Sequence, residues 1–177
     1  FRCSCSRKEL AGEEVAHGGY PGTCRLGPTK PGPTALRFRV SDQRIHFDDL
    51  FVGPQNFESP GDVVIERRDG ITTYQLAVVV DDAFQGVTRV VRGADLLAST
   101  PWQLELQSAL GLAPPIYGHL PVLTEPDGSK LSKSRRSLPL DPAAAPALLT
   151  LALTHLSQSP PDALARSTIK DVWNWAV

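Results

Sequence analysis

The chain has 177 residues, 41% of them hydrophobic and 21% charged, which is enough to bury a core and is ordinary for a globular protein. Eighteen basic against nineteen acidic residues leave a formal charge of −1, which excludes a general nucleic-acid coat but not a local basic patch. No apolar run approaches the roughly 20 residues of a spanning helix, and the start, FRCSCSRKEL, lacks a signal-peptide core, so a cytoplasmic address and no membrane partner are expected. The chain has no methionine and begins at Phe1, so part of a longer protein is expected.

All three cysteines fall within the first 24 residues: Cys3, Cys5 and Cys24. The C-x-C pair sets two sulfurs on one short extended segment, and the third returns after the helix-prone stretch RKELAGEEVA. That set suits tetrahedral zinc, and an odd cysteine count argues against a disulfide framework. The fourth ligand is open. His17 is the first choice on chemistry, while Tyr20 is less usual because a phenol must lose or share its proton. Three ordinary buried thiols are the plainer alternative. A metal here would be structural, with no open coordination position.

LGPTKPGPT, residues 26–34, reads as a linker. TALRFRVSD alternates and predicts a half-buried strand, with Leu36, Phe38 and Val40 inward and Arg37 and Arg39 outward. RIHFDDLFVG reads as a second strand. GDVVIERRDGITTYQLAVVVDD predicts a hairpin turning at Asp69-Gly70. Within it, YQLAVVVDD reads as a central parallel strand buried on both faces. GVTRVVRG reads the same way and ends at Arg92, beyond the carboxyl end of a strand, where open α/β sheets bind ligands.

ASTPWQLELQSALG carries helix punctuation: Ser99 or Thr100 to cap, Pro101 in the first turn and Gly111 to close. Its spacing places Trp102, Leu106, Ala109 and Leu110 in the core. YGHLPVL predicts a short buried strand with His119 as a structural histidine. In LDPAAAPALLTLALTHLSQ, Asp141 can cap and Pro142 suits the first turn. Pro146 marks either a kink or the true start, and Leu148, Leu149 and Leu156 form the apolar side. SPPDALARSTIKDVWNWAV suggests one or two more helices, with Val172, Trp173 and Trp175 available for packing.

Between these elements lies DGSKLSKSRRS, which concentrates Lys130, Lys133, Arg135 and Arg136 in seven positions. A solvated charge run is the bland reading. The sharper one is that lysine, a compact point charge, meets phosphate oxygens and stabilises charge growing on a departing pyrophosphate.

With YQLAVVVDDAFQGVTRVVRGADLLASTPWQ upstream and GHLPVL…GSKLSKS downstream, the chain resembles the class I glutamyl-tRNA synthetases. KLSKS matches that family's KMSKS loop, with Leu131 in place of methionine. The likeness runs from Cys3 to about Ser137 and through much of the tail. It is strongest to the short branch that acts on queuosine in tRNA(Asp), on CSCSR…GGYPGTCR, on VVRGADLLASTP in place of an RGEDH-type string, and on the ending DVWNWAV.

The resemblance implies an α/β fold, the C-terminal part of a class I synthetase Rossmann-like catalytic domain. It implies a zinc-binding module at 1–30 and a β-rich insertion at 31–72. The second half of the catalytic domain with its KMSKS-type loop would occupy 73–137, and a helical C-terminal segment, the stem, 138–177. It further implies a ligase that joins glutamate to ATP, with Mg, to give glutamyl-adenylate and pyrophosphate. The glutamyl group would then pass to the cyclopentenediol of queuosine at the wobble position of tRNA(Asp). Carried over residue by residue, Cys3, Cys5, Tyr20 and Cys24 hold a structural zinc, and Tyr74 and Arg92 contact glutamate. Lys130, Leu131, Ser132, Lys133 and Ser134 bind ATP, with Lys133 catalytic. A monomer is expected.

The family's HIGH-type signature belongs upstream of Cys3, and none of His17, His46, His119 or His155 lies in one, so these 177 residues alone are expected to be inactive. Two rivals stand beside this reading. One is a fragment of a standard enzyme charging tRNA(Glu), and the other is a non-catalytic zinc and RNA-binding module.

Overall fold

Strict alternation in TALRFRVSD does produce a strand, with one reversal. The computed structural model describes residues 1–10, 20–124, 130 and 140–177. In it, β1 (Arg2–Cys3), β2 (Ala35–Phe38) and β5 (Val63–Glu66) form an antiparallel sheet in the order β1-β2-β5. The β2–β5 register shifts between Leu36 and Arg37, which interrupts the two-residue period. Arg37, expected outward, is buried instead. It donates from Nη1 to the Asp62 carbonyl at 3.1 Å, and its guanidinium carbon lies 3.9 Å from the centre of the Tyr20 ring. Arg39 remains exposed, and Val40 is buried as expected.

Between β2 and β5, β3 (Ile45–Asp49) and β4 (Gly53–Phe57) form an antiparallel hairpin with Ile45 opposite Phe57 and Asp49 opposite Gly53. Gly53, at φ 74°, takes the left-handed conformation that the tight return requires. The hairpin predicted at Asp69-Gly70 is half realised. Gly70 (φ 79°) turns the chain, and a single antiparallel bridge joins Glu66 to Thr72. The second arm is not a strand. Tyr74–Phe84 forms the helix α2, with Thr73 at its N-cap. A short apolar run does not distinguish a buried strand from a helix by period. Here length decides, since 11 residues exceed an ordinary strand and fit three turns.

β6 (Arg89–Gly93) pairs with β7 (Ile116–Leu120), and a 3-10 turn over Ala94–Ser99 and the helix α3 (Thr100–Leu110) connect them. Pro101 sits in the first turn of α3, and Gly111 closes it at φ 67°. The buried face is more polar than the spacing suggested. Thr100, Pro101, Gln103, Leu106 and Gln107 are buried, Trp102 is half-buried, and Ala109 and Leu110 are exposed. Side-chain amides make this face workable: Gln103 donates to Gln75 of α2 at 2.9 Å and Gln107 to the Tyr117 hydroxyl at 3.1 Å.

The chain divides into two compact units, Phe1–His119 and Leu120–Val177. In the second, Asp141 accepts from the Ala143 N–H at 2.9 Å and caps a 3-10 turn over Pro142–Ala144, which leads into α4 (Ala145–His155). Pro146 therefore marks the start of that helix rather than a kink. A second 3-10 turn, Asp162–Arg166, precedes α5 (Ile169–Ala176), whose N-terminus carries a reciprocal Thr168–Asp171 capping box. Val172 is buried, while Trp173 and Trp175, expected to pack, are 57% and 39% exposed. Among the described residues, no helix is long and apolar enough to cross a membrane.

Candidate functional site

Two polar clusters stand out, and both lie in the first unit. In the first, β1 carries Cys3, and Cys5 follows it ahead of the four-residue helix α1 (Arg7–Leu10), where Ser6 and Glu9 cap each other. Cys24 comes from the turn after Tyr20. That turn is tied down twice. The Ser4 hydroxyl accepts the Thr29 and Lys30 N–H groups at 3.1 and 3.3 Å, and Arg25 forms a bidentate pair with buried Asp62 at 2.6 and 2.9 Å.

These ties bring the donor atoms to one point. The three sulfurs lie within 4.8 Å of one another, with Cys5 and Cys24 3.5 Å apart. The Tyr20 hydroxyl is 3.3 Å from the Cys3 sulfur and 3.5 Å from that of Cys5. Tetrahedral zinc with bonds of about 2.3 Å would set sulfurs ~3.8 Å apart, so the spacing and the soft thiol set fit such an ion. All three cysteines are free thiols, and Cys3, Cys24 and Tyr20 are buried.

Burial alone would push the Cys24 thiol up, but hydrogen bonds from Tyr20, Ser4 and Thr29 hold it down at about 5. Burial pushes Cys5 up, and burial together with the surrounding sulfurs pushes the Tyr20 hydroxyl far up. One thiolate therefore forms readily, while the raised Cys5 and Tyr20 groups would give up their protons on binding a cation. The cluster could hold a metal ion through its three cysteines. Tyr20 stands beside them, and His17, the alternative fourth ligand, lies outside the described residues.

The second cluster forms where β6 ends and α2 begins. Arg92 donates from Nε to His119 Nε2 at 3.0 Å and from Nη2 to the Thr100 hydroxyl at 2.9 Å. Its Nη1 lies 3.5 Å from the Tyr74 hydroxyl, and its guanidinium carbon is 5.1 Å from the centre of the Tyr117 ring. Arg92 is half-buried and Tyr74 half-exposed, so a guanidinium and a phenol face outward from a rigid support. Such a pair can take a carboxylate.

Tyr74 and Arg92, expected to contact glutamate, come together in the fold. Thr100, expected as a cap, and His119, expected as structural, join them, and Asp49, which carried no expectation, closes the cluster from behind. The only hint at Asp49 was a charged residue ending a strand just before the apolar Leu-Phe-Val. Of the lysine loop, Lys130 is described, in a bridge with Thr124. Leu131, Ser132, Lys133 and Ser134 lie outside the described residues.

Residues 22–142 match the family model for class I tRNA synthetases (E and Q), catalytic domain. The chain belongs to this family. Over 180 residues it is 48% identical to a protein of Pseudomonas fluorescens named glutamyl-Q tRNA(Asp) synthetase, covering 100% of this chain and 59% of that one. A protein of the same name from Geobacter sulfurreducens is 47% identical over 191 residues, 99% of this chain and 61% of its own length.

Among solved structures, the glutamate-tRNA synthetase of Elizabethkingia anophelis aligns with a TM-score of 0.61 and 26% identity over 79% of this chain and 33% of that one. A glutamate tRNA ligase from Elizabethkingia meningosepticum, in complex with its amino acid, aligns with a TM-score of 0.53 and 30% identity, covering 62% and 23%. The class I catalytic-domain fold, with its α/β content, is thereby shared. The chain spans 59–61% of the length of these two curated relatives.

Proposed function

We propose that the complete protein is a ligase that activates glutamate with ATP and transfers it to queuosine in tRNA(Asp). The observation that carries this reading is the 48% identity, over the whole of this chain, to a protein named for that activity. Adenylation joins a glutamate carboxylate oxygen to the α-phosphorus of ATP and releases pyrophosphate with its Mg. A queuosine hydroxyl then attacks the carbonyl of the mixed anhydride, forming an ester and expelling AMP. Arg92 and Tyr74 hold the substrate glutamate. Lys133, with Lys130, Leu131, Ser132 and Ser134, binds ATP and stabilises the charge that develops on the leaving phosphates. Cys3, Cys5, Cys24 and Tyr20 hold zinc, which stabilises the fold of the N-terminal sheet. The reaction is cytoplasmic.

The test is acceptor choice by the complete protein. With labelled glutamate and ATP, label should appear on tRNA(Asp) that carries queuosine and on neither queuosine-free tRNA(Asp) nor tRNA(Glu). The solved relatives are glutamate-tRNA ligases, which favours the standard reaction as the second reading. Label on tRNA(Glu) would establish that one instead. RNA binding without ATP consumption would overturn both.

A further inference from the structure

Behind Arg92 runs a chain of hydrogen bonds whose proton positions are dictated by its buried end. Asp49 is 5% exposed and His119 is fully buried. Asp49 Oδ1 accepts three backbone N–H groups, from His119 at 3.0 Å, Phe51 at 3.0 Å and Val52 at 3.1 Å. Those donors fix the carboxylate, and its second oxygen lies 2.6 Å from His119 Nδ1. Burial alone would raise the Asp49 carboxyl, but the His119 ring and these N–H groups hold it down at about 2. An ionised carboxylate accepts and does not donate, so Nδ1 carries a proton; Arg92 Nε–H can only donate, so the Nε2 it faces presents a lone pair. That lone pair receives Arg92 Nε–H.

The planar guanidinium is therefore gripped along one edge. Nε and Nη2 share that edge, and His119 and Thr100 occupy it. The terminal fork of Nη1 and Nη2 is left facing the Tyr74 side, in the geometry that meets a carboxylate through two parallel hydrogen bonds.

We propose that Asp49 and His119 are positioning residues for the amino acid substrate: they set the tautomer that locks Arg92 and so aim its terminal fork at one carboxylate. This rests on the reading of Arg92 as a glutamate ligand. A pair serving the fold alone would hold the same atoms in place but would not tie glutamate use to the ring tautomer.

The experiment uses the complete protein with ¹⁵N-labelled histidine. Long-range ¹H–¹⁵N correlation should report His119 as the Nδ1–H tautomer. In Asp49→Asn the side-chain carbonyl can keep the backbone donors while the amide NH2 turns toward Nδ1. The ring proton then moves to Nε2 and confronts Arg92 Nε–H. Glutamate KM in pyrophosphate exchange should rise about 10–100-fold, the scale of a buried donor left unpaired, with the KM for ATP unchanged.

An Nε2–H tautomer in the unsubstituted protein overturns the proposal. So does an unchanged glutamate KM in Asp49→Asn once its tautomer has switched, and so does an equal rise in both KM values. If Arg92→Ala leaves glutamate kinetics unchanged, the reading of Arg92 fails and takes the proposal with it. The tautomer measurement still stands in that case, which tells that failure apart from a failure of the positioning chain.

Discussion

The two polar clusters of the first unit use buried groups in opposite ways. Around Cys3, Cys5, Cys24 and Tyr20 the polar atoms turn inward and face one another, with the Ser4 and Thr29 hydroxyls beside the Cys24 sulfur. Around Arg92 the buried groups are paired from behind, by His119 and Thr100, and the charge is pushed outward toward Tyr74. The first arrangement is one that could hold a metal ion through its three cysteines; the second is paired from behind and presents a guanidinium and a phenol outward. Converging thiols suit a soft cation, whereas a guanidinium held from the rear suits a carboxylate.

This contrast can be broken at either end. The largest effect is expected from Cys24→Ala in the complete protein. Zinc measured by mass spectrometry should fall from about one equivalent to none, with loss of thermal stability, because ion and fold are coupled in structural sites. Metal retained at full stoichiometry would return the cysteines to ordinary packing. Next, Arg92→Ala should raise the glutamate KM about 100-fold, the scale of lost charge-assisted hydrogen bonds, while leaving zinc content intact. Loss of zinc in that variant would show that the clusters are not independent.

Tyr20→Phe is gentler and sharper. Removing one hydroxyl should weaken zinc about 10-fold, because three thiolates remain, and should leave glutamate kinetics alone. Unchanged affinity would move the fourth ligand to His17. The smallest effect is on acid stability. The Asp49 carboxyl lies at about 2 in the fold against an ordinary 3.8. Its contribution is thus fully present above about 4 and is lost as pH falls toward about 2. Asp49→Asn should flatten that part of the acid unfolding curve followed by circular dichroism, whereas an unaltered curve would mean the carboxylate is not held as the geometry indicates.

Much of this contrast was legible in the sequence. Cysteine spacing marked the first cluster, because C-x-C with one distant partner can converge without knowledge of the remaining fold. Arg92 was legible through its place at a strand end. Residues 74–82 were misread as a strand because an apolar run has no informative period, so Tyr74 was named on resemblance and placed on the wrong element. Arg37 was misread because a register shift is invisible in an alternating string. Asp49 left only a faint local trace: its partner His119 is 70 positions away, and a Leu50 N–H to Tyr117 carbonyl hydrogen bond ties the hairpin end to β7 beside them. Long-range polar pairs of this kind leave no local pattern.

The most direct measurement is a crystal structure of the complete protein with glutamate bound. The account predicts a glutamate carboxylate on Nη1 and Nη2 of Arg92, beside the Tyr74 hydroxyl, with Nε still on His119. Glutamate seated away from Arg92, or Arg92 swung off His119 to reach it, would contradict the account.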